Sequence, residues 1–151
     1  MTMPTPLRRI AIDFARESLA ERLAAIPAPS SVHVVIEGVL MYLTRQQRLE
    51  LLKTIAERFP HHTLYCDLMR KRFFDKYSRD IHEKIVGMGT TFTDMEDEPE
   101  RLFTENGYAT VDIASVPQRA VEAANIGIPA FMVRFFMGTL RNGYVIAAFR
   151  R

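Results

Sequence analysis

Apolar and polar positions change their period several times along the chain, and each change marks an element. RIAID (9–13) reads as a short strand ending in Asp13. In ARESLAERLAAI (15–26), Leu19, Leu23 and Ile26 fall at helical spacing, and PAPSS (27–31) ends that helix with two prolines. Val32 to Leu40 then forms an apolar run interrupted only by His33, Glu37 and Gly38, which predicts a parallel strand covered by helices on both faces. Thr44 with Gln47 three residues on is a capping-box signature. The helix it opens turns Leu51, Leu52, Ile55 and Phe59 inward, and Pro60 lies just past its end. TLYCDLM (63–69) is the next strand. Strand, helix, strand, helix, strand predicts right-handed crossovers and a parallel sheet.

The second half changes character. Phe73, Phe74, Tyr77, Ile81 and Ile85 make an apolar stripe on one predicted helix, 70–86, which reads as core. GMGTTFTDMEDE (87–98) is a loop. EPERLFTENG is a helix with Pro99 in its first turn and Gly107 as terminator. YATVDIA (108–114) is a strand, RAVEAANIG is helical, and IPAFMVRFFMGTL is an aromatic-rich helix or loop. Asn142-Gly143 reads as a turn before YVIAAF, and the last two strands are expected to meet antiparallel, as a hairpin-like end to the sheet.

Composition narrows the class. At 151 residues and 48% hydrophobic, the chain reads as one domain (1–151) with enough apolar side chains for a packed core. A net charge of +2 gives no reason to expect nucleic acid as a partner. Cys66 is the sole cysteine and sits in an apolar strand, so it reads as a small buried residue in a reducing, cytoplasmic setting. MTMPTPLRR lacks the apolar centre of a signal peptide, and no run reaches membrane-spanning length.

Glu37 is the position that asks for chemistry. An ionised carboxylate inside a buried strand is costly unless it is paired or sits at the strand's mouth. Ligands of open parallel sheets bind at the carboxyl ends of strands, so Glu37 is a site candidate, with a structural acid bonded to backbone donors as the alternative. Asp67, at the end of its strand, is the next candidate. His61 and His62 sit in a polar turn and are expected to be solvated. Arg70, Lys71 and Arg72 either attract an acidic substrate or form a solvated helix face. No metal site is expected, and no catalytic acid, base or nucleophile stands out.

EGVLMYLT followed by a helix, IDFARESLAERL, the acidic-proline helix ending in Gly107, and GYVIAAF occur in this order. Together they resemble the leucine carboxyl methyltransferase family, whose bacterial members include O-methyltransferases that use S-adenosylmethionine. The resemblance runs from about Arg9 to the C-terminus. It implies a partial Rossmann-like, class I methyltransferase fold: an α/β sheet, mostly parallel, with an antiparallel last strand and lacking the first two strands. It also implies that Glu37 holds the amino-acid end of S-adenosylmethionine and that Asp13 and Phe14 meet the adenine. Asp13 has an alternative as the N-cap of the following helix. Tyr42 either closes over the site or belongs to the core.

A full member of that family begins with a strand, a glycine-rich turn, a helix and a second strand. Here the only G-x-G is Gly87-Met88-Gly89, which follows a helix and is in the wrong context. The expectation is therefore a methyltransferase acting on a small-molecule or peptide acceptor when another chain or subunit supplies the missing half. The alternative is a non-enzymatic interaction module, and a phosphate-loop nucleotide binder is disfavoured. Strand 32–40 would lie at an open edge. Either strand 10–13 moves inward to pair with it or two chains pair as a homodimer, and the reading favours the inward move with a dimer covering the remaining apolar surface.

Overall fold

The computed structural model describes residues 9–14, 16–27, 31–123, 129–135 and 137–151. Four strands form one sheet: β1 (Val32–Ile36), β2 (His62–Met69), β3 (Ala109–Ser115) and β4 (Tyr144–Arg150), in the order β1-β2-β4-β3. β1 and β2 are parallel, and β4 runs antiparallel to both β2 and β3. The architecture is thus mixed α/β, with three strands parallel and the last reversed, as the element order predicts. β4 occupies the place between β2 and β3, so the last two strands meet antiparallel without a tight hairpin between them.

Register decides which side chains form the core. Val34 lies opposite Leu64, which lies opposite Phe149, and Ile36 lies opposite Cys66, which lies opposite Ala147. This face is covered by α2 (Arg45–Arg58) through Leu51, Leu52 and Ile55, and by α1 (Leu19–Ala24) through Leu19 and Leu23. Phe103 of α5 (Arg101–Thr104) stacks on Phe149 with ring centroids 4.2 Å apart and planes within 4°. Both rings are buried. The opposite face is bare near β1, where Val35 is 70% exposed and Ile146 of β4 is 51% exposed.

α2 is tied down at both ends. The capping box forms: Thr44 Oγ1 accepts the Gln47 N–H, and Gln47 Oε1 accepts the Thr44 N–H. Asp94 Oδ2 accepts the Arg45 N–H at 2.7 Å, so a residue far along the chain satisfies a further orphan donor. At the other end Arg58 donates to Leu23 O and Ile26 O and fixes the exit of α1.

Several expectations need correction. Residues 9–13 form no strand; the Asp13 carbonyl instead accepts the N–H groups of Arg16 and Glu17 and closes a turn. The inward pairing of that segment with β1 therefore does not occur, and β1 pairs with β2 alone among the described residues. β1 also stops at Ile36 rather than running to residue 40. Gly38 has φ +64°, a left-handed backbone that ends an extended ladder, and Leu40–Tyr42 close a 3-10 turn. The helix expected over 70–86 breaks at Ser78 into α3 (Lys71–Tyr77) and α4 (Arg79–Gly87). The break lets Phe74 and His82 both pack on Phe92, at 5.5 and 5.7 Å. After β3 come α6 (Val116–Glu122), α7 (Ala130–Phe135) and α8 (Gly138–Gly143), the last running directly into β4. The ANIG end of the expected helix (124–127), the first residue of IPAFMVRFFMGTL (128) and residue 136 within it lie outside the described residues. Among the described residues no helix is long and apolar enough to cross a membrane.

Candidate functional site

Glu37 leaves the carboxyl end of β1 as an exposed residue, next to the left-handed Gly38. The turn it sits on is pinned from below. Asp67, near the carboxyl end of β2, accepts the Gly38 N–H on Oδ1 at 2.9 Å and the Tyr144 O–H on Oδ2 at 2.9 Å. Asp67 is 5% exposed, yet both its oxygens have donors, which is how a buried carboxylate remains tolerable. Burial, then the Asp67 charge and its hydrogen bond, then Glu37 push the Tyr144 phenol up to about 12. Tyr144 therefore stays a donor at neutral pH, and Glu37 lies close enough for its charge to be felt there.

The wall beside Tyr144 is built by close approach. The Phe73 ring lies 6.2 Å from the Tyr144 ring. A Cβ at Gly143 would stand 2.2 Å from Phe73 Cβ, so only glycine fits. Arg70, next to β2, donates Nε to Asn142 O and Nη1 to Asp97 O and pairs with Glu100. Its backbone N–H bonds Gly143 O at 2.8 Å. Arg70 is thus a strut between β2, α8 and the 95–100 segment. Lys71 pairs with Asp75, and Arg72 pairs with Asp97, both at the surface.

The remaining sequence candidates lie elsewhere. Phe14 lines a groove with Ser18, Leu19, Gln47 and Leu51. Asp13 lines another with Ile10, Glu17 and Arg22, and Glu37 lines neither. Asp13 is not the cap of α1 either; Ser18 fills that place, accepting the Glu21 N–H. Tyr42 is half-buried against Phe92, at 5.1 Å, in the aromatic group that also holds Phe74 and His82. Asp13 and Phe14 thus line different grooves, and neither groove takes in Glu37. Of Asp13, Phe14, Glu37 and Tyr42, only Glu37 stands at a strand's carboxyl end, where an exposed carboxylate can accept from a cation.

Two further readings are revised. His62 is buried, not solvated: it is the first residue of β2, opposite Val32. Its Nδ1 meets Phe59 O at 2.6 Å and its Nε2 meets the Tyr108 hydroxyl at 3.0 Å. Burial lowers its pKa, so the ring is held neutral, with Nδ1–H donating to the carbonyl. Arg48, absent from the sequence reading, is also buried. Its guanidinium donates to the carbonyls of Leu40, Leu43, Thr93 and Asp94, clipping the 3-10 turn to the loop after α4. A signal was present, because Arg48 falls on the same helical stripe as Leu51, Leu52 and Ile55. Cys66 is buried and its thiol is pushed well up, mainly by burial, which makes it inert as a nucleophile.

No protein-family model and no curated protein matches the chain. Solved structures do align with it. Magnesium protoporphyrin IX methyltransferase (ChlM) from Synechocystis PCC 6803 with bound SAH aligns at 13% identity and TM-score 0.47, over 94% of this chain and 50% of that one. TnmH aligns at 15% identity and TM-score 0.46, over 83% of this chain and 31% of that one. Geranyl diphosphate C-methyltransferase from Streptomyces coelicolor A3(2), solved with Mg2+, geranyl diphosphate and S-adenosyl-L-homocysteine, aligns at 15% identity and TM-score 0.45, over 79% of this chain and 47% of that one. The chain spans half or less of the length of these solved chains. At such identities, with each TM-score below 0.5, the chain's own residues have to carry the functional reading.

Proposed function

We propose that this chain carries part of the S-adenosylmethionine site of a methyltransferase that acts on a carboxylate or hydroxyl oxygen of a small molecule or peptide. The observation that carries the reading is Glu37, an exposed carboxylate on a left-handed turn at the carboxyl end of β1, beside the edge of that strand that no other described strand covers. Ligands of open parallel sheets bind in the crevice where strand order reverses. A strand added to the β1 edge makes that crevice next to Glu37, whose carboxylate then accepts from the cofactor's ammonium. When bound, the cofactor supplies an electrophilic methyl group. The protein's part is alignment of the acceptor oxygen, which needs no acid–base dyad.

Assembly belongs to the proposal. The added strand comes from a segment with a glycine-rich turn, on this or on a complementing chain, or from a second copy. Asp13 and Phe14 join the adenine only once the segment before α1 is drawn toward that crevice, and Tyr42 remains with Phe92 as a wall. Calorimetric titration with S-adenosylmethionine tests the reading. Saturable binding is expected, and Glu37→Ala should weaken it by roughly 1.5–3 kcal/mol, the worth of a hydrogen bond to a charged group. An unchanged affinity in that variant would remove Glu37 from the site. No binding at about millimolar ligand, a concentration worth only about 4 kcal/mol of affinity, would leave the interaction-module reading, which the open β1 edge favours.

A further inference from the structure

Glu37 makes no hydrogen bond of its own to the sheet among the contacts described above, yet it sits on a turn with an identifiable anchor. Gly38 takes a left-handed φ of +64°, and nothing lies within 4 Å of where its Cβ would be. Steric crowding therefore does not set the turn. What holds it is the bond from the Gly38 N–H to Asp67 Oδ1. Asp67 is held in turn by the Tyr144 hydroxyl on its other oxygen, and the Tyr144 backbone pairs with Met69 at the end of β2. Three strand ends, those of β1, β2 and β4, thus converge on one buried carboxylate.

We infer that Asp67 and Tyr144 are positioning residues for Glu37: they lock the Glu37–Gly38 turn against β2 and β4 and so fix where the Glu37 carboxylate is presented. The inference rests on the reading of Glu37 as the residue that accepts the ligand's ammonium. Asp67 itself is buried beneath the turn, and each of its oxygens already accepts a hydrogen bond, from Gly38 and from Tyr144. The role requires an acceptor at Oδ1, which an asparagine retains and an alanine does not. A negative charge is secondary. Tyr144 acts one step further away, by stopping the carboxylate from rotating.

A double-mutant cycle on S-adenosylmethionine affinity, read by calorimetry, tests this. With Glu37 present, Asp67→Ala should weaken binding about tenfold, whereas in a Glu37→Gln background the same change should cost less than about twofold, because its effect passes through Glu37. Asp67→Asn should recover most of the affinity, and Tyr144→Phe should lose about threefold. An equal loss from Asp67→Ala in both backgrounds would overturn the proposal, since a general loosening of the fold acts regardless of Glu37. If Asp67→Ala does not fold, the Tyr144→Phe and Glu37→Gln pair completes the same cycle. Amide exchange at Gly38 separates this inference from the function it rests on. The Gly38 N–H should be protected in the wild type and in Asp67→Asn, and should lose protection in Asp67→Ala or, where that fails to fold, in part in Tyr144→Phe. If no ligand binds but this pattern holds, the lock stands and the cofactor reading falls. If Gly38 exchanges equally fast in all of them, the lock falls.

Discussion

The two ends of β2 each join a tyrosine to a titratable partner, and they do opposite things with the pair. At the amino end His62 and Tyr108 are both buried, with the imidazole held neutral between the Phe59 carbonyl and the Tyr108 hydroxyl. Around them lie Phe103 and Phe149, so no polar group of the pair faces solvent with work left to do. At the carboxyl end Asp67 and Tyr144 are equally well bonded, but the loop they hold carries the exposed Glu37. A buried polar pair that ends in itself contributes to stability. One that ends in a presented side chain can contribute to recognition.

This contrast is open to direct attack. The largest effect should come from Phe103→Ala, which empties the stack on Phe149 and should lower stability by about 3–5 kcal/mol in denaturant unfolding. Any ligand affinity measured on the folded fraction should be unaltered. A smaller and more pointed test uses one chemical change at both ends. Tyr108→Phe leaves His62 Nε2 without its hydroxyl and should cost about 1–3 kcal/mol of stability with no change in S-adenosylmethionine affinity. Tyr144→Phe strips a donor from the buried Asp67 and should cost a similar amount of stability, but it should lower affinity as well. If the two variants affect affinity alike, the division between the ends of β2 is wrong.

The smallest effect is on pH. The folded pKa of His62 is depressed below its ordinary value of 6.5, chiefly by burial. As pH falls below 6.5 the unfolded chain takes up a proton that the folded ring resists. Stability from this group is therefore fully present above that value and is lost as pH drops toward the lower folded pKa. Unfolding midpoints measured between about pH 8 and pH 5 should decline, and His62→Gln should flatten the decline.

Much of the sheet was legible because its signals are local. Apolar runs located β1, β2 and β4, and Thr44 with Gln47 marked the start of α2 to the residue. Placing Glu37 at a strand mouth needed only the observation that an acid does not sit unpaired inside a buried strand. RIAID misled because a short apolar run between two charges looks like a strand whether or not a partner edge reaches it; in the fold its last carbonyl, that of Asp13, is taken up in a turn. His62 misled because a His-His pair beside a proline reads as polar, while one of the two becomes the first residue of a strand. The lock at Asp67 joins residues 77 positions apart in sequence, and the Arg48 clip reaches Asp94, 46 away. Neither periodicity nor propensity encodes contacts of that separation; they follow from the register of β4 and the path of a loop.

That register has a bearing on how the molecule comes into being. β4 is made after both of its neighbours, and it lies between them. A ribosome emits residues at roughly 5–20 per second, far slower than a helix or a hairpin forms. During that interval β1 and β2 can already be joined over α2, while β3 waits without a partner. The Phe149 side chain, fully buried in the finished fold, is needed to seal them together. Nascent chains halted before Tyr144 should therefore expose both flanks of the unfilled slot and be strong clients for holdase chaperones. Release of seven more residues should end that dependence abruptly.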